Sequence, residues 1–382
     1  MLSSLCKKIR WRDRGPRITT YLLLAIMGVV WLTCSNFPFV TEDEGINFRL
    51  GILGDIWPDA GVVWIVAIKF FSSFASLADM RYVMTGCVIG FVLCLYFFVR
   101  DFAGMAVAFV TAMAILMGDD VLLNLHKVRP EAFIALSAGG ALLFLRHLAN
   151  KALRGDTITL RNAFVTALFS FLFFHIHMIG GIFVIPLWLG FLLIVWRSGR
   201  SPRAIQLTWV VSLFFLAAAI LGAIPYLSIE ALGQIKNRIT SVPLYSHDNL
   251  QSSILSQIVA TVWNNRGDNL GELAIGLPWF LAPELLRRLT TPLAAFCVVL
   301  VSFQIIPKLV RFQVLASKTP EEFKRLVLQV FCVSLFGCFV LLEVGTNRTT
   351  NYYMSLVLPF GVVCAATLLG PCSREWWAHT FR

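Results

Sequence analysis

The sequence predicts an all-α fold, a polytopic transmembrane helix bundle of about ten spans with interfacial helices in its outer loops. Three observations carry this reading. Of the 382 residues 58% are hydrophobic and 14% charged, and the mean hydropathy is +0.77, which a water-soluble core could not absorb. The apolar residues gather into runs near the roughly 17 to 25 residues that cross a hydrocarbon core. The basic residues fall in alternate loops between those runs, as the positive-inside tendency of Lys and Arg requires.

Taken in order, clear apolar runs cover 20–40, 82–99, 102–118, 163–180, 206–227, 291–307, 326–343 and 352–369. Two shorter runs, 131–147 and 181–196, complete the ten, since helices packed inside a bundle need not have the full span length. With Lys7, Lys8, Arg10, Arg12, Arg14 and Arg17 held in the cytoplasm, this alternation places 21 of the 32 basic residues inside. About 15 of the 21 acidic residues fall outside. The net charge of +11 is therefore topological, and no nucleic-acid partner is implied. The apolar stretch 60–78 carries Lys69. Counting it as an eleventh span would turn the basic loops 146–161 and 197–203 outward, so it is laid on the outer surface as an interfacial helix.

The first apolar run exceeds a typical signal-peptide core and is expected to remain as an anchor, with both termini cytoplasmic. Cysteines 6, 34, 87, 94, 297, 332, 338, 364 and 372 lie mostly inside spans without CxxC spacing. They read as small apolar core residues, not as a disulfide framework or a zinc site. Residues 1–382 form a single transmembrane domain with two long outer loops, 41–81 and 228–290, and no soluble C-terminal domain. Long structured loops are where function concentrates.

Candidate functional residues recur at the outer face. Thr41-Glu42-Asp43-Glu44-Gly45 follows the first run. Three adjacent carboxylates repel one another, which suits one of them to act as a general base, although acids also favour the start of a helix. Asp119 and Asp120 close the third run, and His126, Lys127, Arg129, Pro130 and Glu131 open the fourth. Paired acids followed by cations make a polar island able to hold a phosphate, and a proline there also suits an ordinary helix start. His175 and His177 end the fifth run, while Arg348, Tyr352 and Tyr353 stand at the start of the tenth. Ionisable groups near a membrane commonly mark a pathway or a site.

The order of these segments resembles the GT-C membrane glycosyltransferases. It is most similar to the protein O-mannosyltransferases and the lipid A aminoarabinose transferases. The likeness rests on Thr41 to Gly45, Asp79 to Arg81, the H-x-x-R-P-E segment from His126 into Ala132, the Gly-rich stretch His175 to Pro186, and Asn347 to Pro359. Many members carry a further soluble domain, whereas this chain stops near Arg382, which leaves acceptor recognition to the outer loops.

The resemblance implies transfer of a sugar from a polyprenyl-phosphate-linked donor to a lipid, glycan or protein acceptor. Such a donor's phosphate leaves already ionised, so the enzyme needs one base and several cations. Asp43 matches the family's acidic base position, with Glu44 as the neighbour that orients it or binds the acceptor. His126, Lys127, Arg129 and Arg348 are the expected phosphate ligands, Tyr352 and Tyr353 pack on sugar or carrier, and Asp119, Asp120, Glu131, His175 and His177 line the site. A direct displacement inverts the anomeric centre. No cofactor is required by this chemistry; a divalent metal, Mg²⁺ or Mn²⁺, is left open because carboxylates suit a hard cation. The expected location is a bacterial inner membrane with a periplasmic active face. A transporter or lipid flippase is the alternative, and it predicts charged or helix-breaking residues at mid-membrane together with a repeat of the two halves. A non-catalytic membrane scaffold would tolerate loss of Asp43.

Overall fold

The computed structural model describes residues 20–29, 61–73, 75–116, 128–199, 202–223, 284–310, 319–346 and 356–368. In these segments the chain forms helices α1 (Thr20–Val29), α2 (Val62–Ser72), α3 (Leu77–Ala103), α4 (Met105–Leu116), α5 (Glu131–Leu153) and α6 (Leu160–Ile176). A 3-10 segment, Met178–Phe183, leads into α7 (Val184–Arg197). Then come α8 (Pro202–Ala223), α9 (Glu284–Val310), α10 (Pro320–Thr346) and α11 (Leu356–Leu368). The described parts of the apolar runs read from the sequence lie on these helices and the 3-10 segment. The protein is an all-α integral membrane protein. Among the described residues four segments are long and apolar enough to cross a bilayer, namely Asp79–Ala103, Glu131–Leu153, Ile179–Arg197 and Pro320–Leu341, and shorter apolar helices accompany them.

Local chemistry explains where the helices begin. Ser76 and Asp79 form a capping box at the start of α3, with Asp79 N–H donating to Ser76 Oγ (3.2 Å) and Ser76 N–H to Asp79 Oδ2 (2.8 Å). Asp79, part of the stretch that carries the family resemblance, is thus engaged as a cap. Thr159 and Asn162 do the same for α6, and Thr319 and Glu322 for α10. Gly104 turns α3 into α4 at φ 87°, a conformation that costs a residue with a Cβ. Hydroxyls within the apolar helices return to their own backbone, Thr85 to Arg81 O, Thr166 to Asn162 O and Ser170 to Thr166 O. Lipid offers no other partner.

Helix α5 is the axis of the bundle, packed against α3, α6, α7 and α10. The approach is close because small residues face large ones. A Cβ on Gly139 would lie 2.9 Å from Cys94 Cβ of α3, and one on Gly190 of α7 would lie 2.9 Å from Leu145. This is the small-residue contact typical of membrane helices. Phe360 of α11 joins Phe91, Phe183 and Phe331 at ring-centroid distances of 5.6, 5.8 and 5.6 Å. The six described cysteines carry free thiols, and Cys87, Cys297, Cys332 and Cys364 lie in the core, as apolar core residues would.

Contacts at the two ends of the bundle agree with the alternation of the helices. At one end Asp101 of α3 accepts two hydrogen bonds from Arg146 of α5, both 2.7 Å, and one from Lys324 of α10 at 3.1 Å. Arg197 at the end of α7 lies 5.8 Å over the Phe323 ring of α10, and Thr20 of α1 meets the Tyr96 hydroxyl at 3.3 Å. All of these residues belong to the end expected to be cytoplasmic. At the opposite end α2 crosses the start of α5 and the end of α6. Its 11 residues rise about 16 Å, too little to span a bilayer. It buries Trp64 and Ile68 while leaving Val62, Val66 and Phe70 exposed, as a helix lying along the interface would.

Candidate functional site

The polar groups at the α2 end begin with the first turn of α5. Pro130 is the N-cap, with φ −63° and ψ −21°, and its carbonyl accepts from Ile134 N–H at 3.1 Å. This start brings Arg129 and Glu131 together, with Arg129 Nη2 3.3 Å from Glu131 Oε1 and side-chain exposures of 14% and 3%. A carboxylate in the first turn of a helix is favoured by the helix dipole, and the adjacent guanidinium supplies the counter-charge that burial demands.

The end of α6 supplies two histidines with different roles. His175 is buried and lies with its ring 4.0 Å, centroid to centroid, from Phe171, tilted by 35°. His177 caps the 3-10 segment, its Nδ1 accepting from Ile179 N–H at 3.2 Å. The reversal from α6 to α7 is tight, since a Cβ on Gly180 would lie 2.2 Å from the Phe173 carbonyl oxygen. His177 therefore serves as a cap, whereas the His175 ring packs on Phe171.

Helix α2 ties the two polar elements to each other. Gly61 N–H donates to the Ile176 carbonyl at 3.2 Å. A Cβ on Gly61 would stand 2.0 Å from the His175 carbonyl oxygen, so only glycine permits this approach. One turn on, Trp64 meets Phe133 of α5 edge to face at 5.7 Å. Helix α2 is thereby fixed against Phe133, two residues beyond Glu131, and against the His175–Ile176 backbone.

Of the residues singled out in the sequence, Arg129 and Glu131 are brought into contact, and His175 and His177 stand beneath the same helix. Asp43, Glu44, Asp119, Asp120, His126, Lys127, Arg348, Tyr352 and Tyr353 lie outside the described residues. Among the described residues no group of three or more His, Cys, Asp or Glu side chains is placed to hold a metal ion. The sequence reading passed over two participants. Gly61 and Trp64 position the loop, and their role depends on contacts with residues more than a hundred and about seventy positions away in the chain. Arg81, which belongs to the Asp79 to Arg81 stretch noted in the sequence, lies in the first turns of α3 and is 4% exposed.

Fold and site together define a polytopic helical membrane protein with a buried ionic pair at one end of its bundle. No family model matches the chain, and no curated protein matches it. Among solved structures it is similar to the archaeal oligosaccharyltransferase AglB from Archaeoglobus fulgidus, in complex with an inhibitory peptide and a dolichol-phosphate. The TM-score is 0.44 and the identity 13%, over 95% of this chain and 52% of that one. The chain spans about half the length of that structure.

Proposed function

We propose that this protein is a GT-C-type membrane glycosyltransferase that moves a sugar from a polyprenyl-phosphate-linked donor to an acceptor at the outer, periplasmic face. The observation that carries the reading is the ordered set of motifs in the sequence: the acidic segment after the first span, H-x-x-R-P-E opening the fourth, and the His-Gly stretch ending the fifth. Arg129, Glu131 and His175, the described members of that set, lie at one end of the bundle under α2.

In this reading the polyprenyl tail stays in the bilayer, and its phosphate is met by Arg129 with His126, Lys127 and Arg348. Charge-assisted hydrogen bonds stabilise the negative charge that grows on the phosphate as the glycosidic bond breaks. Asp43 accepts the proton of the acceptor hydroxyl while that oxygen attacks the anomeric carbon from the opposite side, which inverts the centre. Glu44 orients Asp43 or the acceptor, and Tyr352 and Tyr353 pack on sugar or carrier. The acceptor is a lipid, a glycan or a protein. Whether a divalent metal, Mg²⁺ or Mn²⁺, takes part is read from chelation: loss of transfer, restored by either ion, would establish it.

The test is sugar transfer by purified protein from a panel of radiolabelled polyprenyl-phosphate sugars, with Asp43→Asn run in parallel. General-base catalysis contributes about 10² to 10⁴ in rate, so transfer should fall at least about a hundredfold in the variant with its helical content unchanged. Equal transfer by both proteins removes Asp43 from the reaction.

A further inference from the structure

The buried polar side chains of this bundle satisfy one another almost everywhere. Thr85, Thr111, Thr166 and Ser170 donate to the preceding turn of their own helices. Gln329 donates to Thr367 at 3.0 Å, and Thr367 in turn to the Cys364 carbonyl at 2.8 Å. At the Asp101 end both carboxylate oxygens are taken up by Arg146 and Lys324. The pattern is broken at the α2 end. Glu131 Oε2 and His175 Nε2 are buried with no hydrogen-bond partner among the described residues. Glu131 is 2% exposed and His175 6%. Native proteins rarely leave such atoms empty, because burying an unsatisfied polar group forfeits its hydration without return.

We propose that Glu131 Oε2 and His175 Nε2 form the hydroxyl-binding half of a ligand site whose anion-binding half is Arg129. The chemistry of the atoms selects the ligand class. Glu131 already has a counter-ion in Arg129, so a second cation would leave excess positive charge in a buried place. An anion would be repelled by the carboxylate. A neutral O–H donates to Oε2 without changing the charge, and imidazole Nε2 gives or takes a second hydrogen bond according to its tautomer. The matching ligand is a polyhydroxylated ring joined to a phosphoester, which, resting on the glycosyltransferase reading, is the sugar of the donor. Helix α2 holds the two groups in register through Gly61 at His175 and Trp64 at Phe133, two residues beyond Glu131.

The experiment measures the affinity of the full chain in lipid nanodiscs for citronellyl phosphate and for the same carrier bearing mannose, glucose or N-acetylglucosamine. At least one glycosylated probe should bind more tightly than the bare phosphate. Glu131→Gln and His175→Ala should each reduce that sugar-dependent gain about tenfold, the effect of losing one hydrogen bond to a charged or buried group. His175→Gln should restore part of it. In Glu131→Gln the bare phosphate should bind at least as tightly as to the wild type, because the carboxylate no longer competes for Arg129. If Glu131→Gln fails to fold, the His175 pair of variants reads the same contact. A gain that survives both variants overturns the assignment and leaves the donor-phosphate reading intact, as does the absence of a gain with every sugar. A wild type that neither binds the bare phosphate nor transfers sugar overturns the glycosyltransferase reading itself.

Discussion

Arg129 and Glu131 form a structural ion pair that the proposed function also places in the site. Removing Arg129 alone would strand a buried carboxylate, and breaking a buried pair from one side costs about 3 to 5 kcal/mol. Arg129→Ala therefore confuses folding with activity. Replacing both members by apolar residues of similar volume is often neutral for stability, so Arg129→Met combined with Glu131→Leu is expected to keep the thermal midpoint near that of the wild type while abolishing transfer. Retained transfer in the double variant would make the pair purely structural. Arg129→Lys keeps the charge but loses the planar fork that matches a phosphate, and kcat/KM should fall about tenfold or more, with folding unchanged.

At the scale of elements, glycine positions separate packing from helix propensity. Gly139 of α5 faces Cys94 and Phe91 of α3 so closely that an added Cβ must move them. Overpacking of this kind costs about 1 to 3 kcal/mol, and Gly139→Val is expected to lower stability by that amount in a detergent-unfolding measurement. Gly86 lies on α3 with nothing within 4 Å of its would-be Cβ, so Gly86→Ala should be neutral or gain up to about 1 kcal/mol from propensity. Similar losses at both sites would refute the α3–α5 packing. Gly61→Ala tests a different element. Its Cβ would collide with the His175 backbone, so α2 must leave α6, and transfer should drop sharply while the rest of the core, to which α2 contributes only Trp64 and Ile68, stays folded. Normal transfer by Gly61→Ala would remove α2 from the site.

Across the whole molecule, the two ends of the bundle are built differently. The Asp101 end is closed by a three-helix ionic cluster with every charge engaged, and the α2 end holds polar atoms that await a partner. Asp101→Asn should therefore lower stability by about 3 kcal/mol, since it leaves Arg146 and Lys324 half-buried without a counter-charge. It should leave the affinity for a bare prenyl phosphate at the far end unaltered. Accessibility of single cysteines placed at Arg154 and Lys236 to a membrane-impermeant reagent checks the orientation. Labelling of residue 236 and protection of residue 154 in intact cells is the expected pattern, and the reverse would invert the topology.

The membrane class and the apolar helices were legible in the sequence, because a bilayer imposes length and apolarity residue by residue and every backbone group must be satisfied within its own helix. Ser76-x-x-Asp79, Thr159-x-x-Asn162 and Thr319-x-x-Glu322 mark three helix starts as local motifs, and Pro130 marks a fourth. The neighbourhood of Arg129, Glu131 and His175 was legible only as a list of polar residues expected to share a face. That Arg129 pairs with Glu131, that His177 is spent on a cap while His175 is not, and that Gly61 and Trp64 hold α2 against α6 and α5 were decided by tertiary structure. The same holds for Asp101, whose partners come from residues 146 and 324. Local energetics choose helices from neighbouring residues, whereas a buried charge finds its partner only where packing brings distant segments within a few ångströms of each other.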